Sequence, residues 1–156
     1  MTGLSDRDLA RLTAALRRVL GDLDAGQLAR RVQFRSHVAP ADADDGRPCE
    51  VEIELQAAGA VEFLVDLSDE DHALTARVAE AAQDGFGRDE DSTSWGPVCP
   101  VHGHPARAAA RGRDAVWVCP RGAWSTSIGG LGPMPIILVE PGPGRSCRAR
   151  VRRDVT

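Results

Sequence analysis

From Val98 to Pro105 the chain reads VCPVHGHP, one cysteine and two histidines among prolines and a glycine. A second Cys-Pro pair follows in VCPRGAW, residues 118–124. Thiolate sulfur and neutral imidazole nitrogen are the donors zinc prefers, four at a time in a tetrahedron. Cys99 and His102 are separated by two residues, a bite at which a tight turn aims both side chains at one point. His104 follows two positions later, and Cys119 lies where a short hairpin would bring the chain back. Cys99, His102, His104 and Cys119 together offer two thiolates and two imidazoles, which balance the charge of Zn²⁺. Pro100, Pro105 and Pro120 stiffen the ligand-bearing turns, and Gly103 supplies a backbone angle other residues reach poorly.

Catalysis at the same residues would need more than the four donors supply. A catalytic zinc keeps one position open for water and draws on a general base. No HExxH is present, and no HxE is paired with PCxxC. Residues 92–113 contain no acid, so a base would have to come from elsewhere in the fold. A Rieske iron–sulfur site also uses two Cys and two His. CPRGAW looks like the second half of such a site without its His. CPVHG looks like the same half with no Cys-x-His pair before it. Each alignment lacks at least one ligand, and a structural ion is the expectation.

At these residues the segment resembles a zinc ribbon or zinc knuckle: CPVHGHP, a hairpin, then WVCP, over about residues 97–124. It departs from the commonest type, in which all four ligands are cysteines. After Cys119 come Pro120, Arg121 and Gly122, so the second knuckle lacks its second ligand and His104 takes that place. The chain also looks like small uncharacterised proteins of high-GC bacteria, a resemblance that implies no activity.

The ligands need a scaffold, and charge divides the chain into differently composed pieces. Residues 1–92 carry 10 Arg against 20 acids, whereas residues 93–156 carry 9 Arg against 3. There is no Lys, and all three Trp lie in the second part. The expected organisation is an acidic α+β domain (1–92), a zinc-ribbon-like module (93–125), and a Gly/Pro-rich segment with a basic tail (126–156). The basic half either docks on the acidic half or meets a polyanion. In the second case Arg107, Arg111, Arg113 and Arg121 would pair with phosphates, and Trp117 and Trp124 would stack on bases. The overall pI near 5.5 counts against nucleic acid.

Leu9, Leu12, Leu16, Val19 and Leu23 recur at helical spacing and predict a helix over 6–20, capped by Ser5 and ended by Gly21. A short helical piece over 25–31 and a weak strand over 32–38 follow. Residues 39–48 read as a loop. Glu50 to Leu55 alternates strictly, with Val51, Ile53 and Leu55 on one face and Glu50, Glu52 and Glu54 on a solvated one. Val61, Phe63 and Val65 resume the apolar face after a turn at QAAGA. Ser68 is expected to cap a helix running to about Gln83, with Leu74, Val78 and Ala81 or Ala82 inward. Residues 84–97 read as a linker. A hairpin turning at Gly112 has arms near 106–111 and 114–119. STSIGGLGPMP reads as flexible, and IILVE (136–140) as a short strand. The fold class is α+β: a small antiparallel sheet with flanking helices plus a zinc-ribbon-like β-hairpin.

His37 and His72 have no catalytic partner nearby in sequence. Cys49 opens a strand and reads as a small core residue, and Cys147 sits in the tail. No apolar run approaches the roughly 20 residues of a membrane helix, and MTGLSDRDLARL lacks a signal-peptide pattern. Reduced thiols and metal therefore fit a cytoplasmic setting. The expected function is non-enzymatic: a structural Zn supporting a protein-interaction surface. Nucleic-acid binding is the first alternative and a metal-dependent enzyme the second.

Overall fold

The computed structural model describes residues 4–25, 34–40, 47–55, 59–86, 97–131 and 136–138. Helix α1 spans Asp6–Ala25. Ser5 caps it: its hydroxyl accepts from the Asp8 N–H at 3.1 Å and donates to the Asp8 carboxylate at 2.7 Å. The helix buries Leu12, Ala15, Leu16, Val19 and Leu20, a stripe at three- and four-residue spacing. It does not stop at Gly21. The chain stays helical because the next residue, Asp22, is fully buried and hydrogen-bonded to the far end of the molecule.

Strands β1 (Phe34–Pro40), β2 (Pro48–Leu55) and β3 (Gly59–Asp66) form an antiparallel meander. Alternation puts Cys49, Val51 and Ile53 of β2 and Val61 and Val65 of β3 in the core, with Phe63 partly buried against it. A short strand, β7 (Ile136–Leu138), pairs with β1 in parallel, so the first sheet runs β3-β2-β1-β7. The Glu row of β2 is not uniformly solvated. Glu52 is buried and Glu50 half-buried.

Helix α2 spans Asp71–Phe86 and buries Leu74, Val78, Ala79 and Ala82. It starts later than Ser68, whose N–H and hydroxyl both bind the Asp66 carboxylate in a preceding turn. Arg11 of α1 clamps that turn: its guanidinium donates to Asp71 at 2.6 Å, to the Leu67 carbonyl at 2.8 Å and to the Asp69 carbonyl.

The second sheet has the order β4-β5-β6. Strands β4 (Arg107–Arg111) and β5 (Asp114–Val118) are the expected hairpin. Gly112 at φ +60° followed by a residue of negative φ gives a turn of the primed type that matches strand twist. Ser125–Ser127, expected to be flexible, forms β6 beside β5. The Ile128 N–H continues this ladder to the Ala115 carbonyl at 2.9 Å, and the Ile128 side chain is fully buried.

One buried apolar cluster joins the two sheets through the helices; it includes Leu16, Val51, Leu74, Trp117 and Ile128. Polar ties reinforce the junction. Gln83 donates to the Ala106 carbonyl at 2.6 Å, and Arg18 donates to the Ile128 carbonyl at 3.1 Å. Among the described residues the elements make an α+β fold of two helices and two sheets. Among the described residues no helix is long and apolar enough to cross a membrane. The helical piece expected beyond Ala25, most of the 84–97 linker, Trp95, and the tail with Cys147 lie outside the described residues.

Candidate metal centre

The loop before β4 is itself a small hairpin. Val98 and Pro105 form a bridge, the Ala106 N–H binds the Pro97 carbonyl at 2.9 Å, and the Cys99 N–H binds the His104 carbonyl at 2.9 Å. The turn between β5 and β6 is closed in the same way. Val118 pairs with Ser125, and the Cys119 N–H binds the Trp124 carbonyl at 2.7 Å. Each cysteine therefore opens a four-residue turn and is bonded to the residue five positions later. Pro100 and Pro120 occupy the first turn position, where a fixed φ costs nothing and the missing N–H is not needed. Gly103 at φ +71° and Gly122 at φ +77° carry the chain round, a conformation side-chain-bearing residues disfavour.

The two turns bring Cys99, His102, His104 and Cys119 together, with one ligand atom from each lying within 4.8 Å of all the others. His102 Nδ1 is 3.8 Å from Cys99 Sγ and 3.4 Å from Cys119 Sγ, and His104 Nε2 is 3.2 Å from Cys119 Sγ. A tetrahedral ion with Zn–S of about 2.3 Å and Zn–N of about 2.0–2.1 Å separates its ligand atoms by roughly 3.4–3.8 Å. The donor set and its spacing fit a divalent ion of this kind. The equivalence of the turns also shows why the second brings one donor to the cluster. Where the first has His102 and His104, the second has Gly122 and Trp124, and His104 reaches across to complete the set.

Both cysteines are buried, His104 is half-buried and His102 is exposed. Burial pushes the Cys119 thiol up, but four hydrogen bonds outweigh it. The His104 ring, the Ala123 N–H, the His102 ring and the Arg121 N–H together bring its pKa down to about 5. Backbone N–H groups aimed at a sulfur favour the thiolate, which is the form a metal needs.

The other sequence candidates separate. Arg107, Arg111, Arg113 and Arg121 are all exposed, and Trp124 is half-buried. Trp117 is not available for base stacking: its side chain is fully buried, and its indole N–H donates to Asp22 at 2.8 Å. Its place on β5 sets it on the inner face, against the helices. Cys49 is buried in β2 and does not join the cluster. His72 lies 3.5 Å from Glu70, and His37 stands opposite Glu52 in the β1–β2 register.

A larger concavity of about 940 Å³ lies near the starts of both helices, lined by residues such as Asp8, Arg11, Arg47 and Asp71. Its charges largely pair with one another. Asp22 was not legible as a site-supporting residue. It directly follows a glycine that marks a helix end by composition, and nothing local signals its distant partners.

No protein-family model, curated protein or solved structure matches the chain.

Proposed function

We propose that this is a non-enzymatic zinc protein, in which a structural ion held by Cys99, His102, His104 and Cys119 supports a protein-interaction surface on a zinc-ribbon-like module. One observation carries the reading: four donors from two equivalently closed turns lie within 4.8 Å of one another, with three of their separations at 3.2–3.8 Å. Four protein donors fill the shell of a structural zinc, whereas catalytic sites hold three and leave one position for water. Metal binding in this setting would couple the ion's binding free energy to the order of both turns.

The surface assignment rests on the first turn. Val98 and Val101 flank Cys99 and are 43% and 64% exposed. Large apolar side chains presented on a turn that the ion rigidifies suit a protein partner. The setting consistent with two reduced thiolates is the cytoplasm.

The test is metal content of purified protein, measured by plasma mass spectrometry, for wild type and for Cys99→Ser with Cys119→Ser. About one zinc per chain in wild type, lost in the double variant along with thermal stability, supports the reading. A metal-free wild type under reducing, chelator-free conditions sinks it.

A second reading, nucleic-acid binding, is favoured by the exposed Arg107, Arg111, Arg113 and Arg121 around the module. It now lacks Trp117 as a stacking platform. A mobility shift on DNA or RNA that weakens with salt would support it.

A further inference from the structure

The two sulfurs of the cluster have different surroundings. Cys99 is fully buried and Cys119 is 2% exposed, but among the described residues only Cys119 borders an opening. Cys119 lines a cavity of about 170 Å³ that it shares with Arg111, Gly122, Ala123, Trp124 and Ser125. Arg111, Gly122, Ala123 and Ser125 are exposed, so the cavity opens to solvent. Its volume is several times the roughly 30 Å³ share of a water molecule in the liquid, enough to admit a small peroxide. The sulfurs themselves lie within 4.8 Å of each other, and a disulfide needs about 2.05 Å. Closing that distance moves the two turns toward each other, and Gly103 and Gly122 carry no Cβ to restrict the backbone there.

We propose that Cys119 is a modification site for two-electron oxidants of the peroxide class, and that Cys99 resolves the modified sulfur and so expels the metal. This rests on the zinc reading above. In the first step Cys119 Sγ attacks a peroxide oxygen. An S–O bond forms, the O–O bond breaks, and hydroxide leaves. In the second step the Cys99 thiolate attacks the Cys119 sulfur. An S–S bond forms, the S–O bond breaks, and a second hydroxide leaves. The two sulfurs lose two electrons in total, the peroxide gains them, and solvent protonates both hydroxides. The ion keeps His102 and His104 as its protein ligands, too few for a stable site, and dissociates. A dithiol reductant reverses the sequence by restoring both thiolates.

The chain therefore carries a reversible link between oxidant level and the shape of the exposed Val98–Val101 turn. Cys119 is the sulfur reached first because the cavity borders it.

The experiment uses the full-length zinc-loaded protein and hydrogen peroxide. Zinc release is followed with a chromogenic chelator, and thiol states are mapped by peptide mass spectrometry. The expected result is one zinc released per chain, with a Cys99–Cys119 disulfide formed in step. Dithiothreitol and added zinc restore the starting state. Ser125→Trp, which places a bulky group over the cavity, is expected to keep zinc stoichiometry and slow release several-fold. If the protein holds no zinc before peroxide is added, the zinc reading fails and takes this one with it. If zinc is bound but stays while Cys49 or Cys147 oxidises, the modification proposal alone is overturned. Zinc loss without a Cys99–Cys119 disulfide, or equal release rates in Ser125→Trp, overturns it as well.

Discussion

Asp22 on α1 accepts a 2.8 Å hydrogen bond from the indole N–H of Trp117 on β5, 95 positions further along the chain. The same carboxylate accepts from the Gly129 N–H at 2.5 Å and the Leu131 N–H at 3.0 Å. A fully buried carboxylate is tolerable only when it is well solvated by donors, and here three donors do that. Asp22 thereby ties the first helix to the strand that leads into Cys119 and to the turn that follows β6. Asp22→Ala would strand the buried indole N–H and two amides. It is expected to destabilise the protein by on the order of 3 kcal/mol. Asp22→Asn keeps an acceptor and is expected to cost less. Denaturant midpoints followed by Trp fluorescence check both.

The helix–sheet contact at Gly85 leaves no space for a side chain. A Cβ there would lie closer than 3.0 Å to three atoms of Val61, whose side chain is buried in β3. Helix propensity alone favours Ala over Gly. Overpacking is expected to win, and Gly85→Ala to lose about 1–3 kcal/mol. A rise in thermal midpoint for this variant would show that α2 can shift outward without penalty.

Stability at acid pH should depend on Asp8. The Ser5 hydroxyl is the main cause that holds its carboxyl below the ordinary value. Burial opposes this, and Arg47 and Arg11 add to the lowering. A carboxylate depressed in the folded state contributes fully above its unfolded pKa of about 3.9 and loses that contribution as pH falls through the folded value. Wild type is therefore expected to exceed Asp8→Asn in stability at pH 7. The gap should close below about pH 4, near the unfolded carboxyl value. Circular dichroism melts across that range give the answer; a gap independent of pH would assign the effect to packing instead.

Much of the first sheet and the convergence of the Cys/His cluster were legible in the residues. Val51, Ile53, Val61 and Val65 alternate as a half-buried meander must, and Gly112 marks the β4–β5 turn that the structure has. Cys99, His102, His104 and Cys119 converge because short turns with fixed φ leave the chain few other paths. What escaped were features set by distant contacts. β6 is three residues of Ser and Thr, polar and short, and exists because Val116, Trp117 and Val118 offer an open edge. Gly21 signals a stop, yet Asp22 is held in the helix by donors from the other end of the chain. Glu52 follows a pattern that says solvent, and it is buried.

The two histidines should not be equivalent as ligands. His104 is half-buried and its carbonyl is locked to the Cys99 N–H, whereas His102 is exposed. An exposed imidazole is readily replaced by water, while a ligand fixed on a bonded turn is not. His104→Ala is therefore expected to weaken zinc binding more than His102→Ala. Competition with a chelator of known affinity, read on both variants, ranks them. The cobalt form of His102→Ala should keep the thiolate charge-transfer bands with altered d–d bands, as water takes the vacated position.

The parallel pairing of β7 with β1 has a consequence for the order in which the chain can be completed during synthesis. The first sheet acquires its last strand only from residues 136–138, after both cysteine turns have left the ribosome. Until then the β1 edge, with its unpaired backbone groups, is open to the wrong neighbours. The cysteine turns emerge only late in that interval, shortly before β7. Capture of metal by the nascent chain would then fix the turns around β4–β6 before β7 arrives to cover the β1 edge.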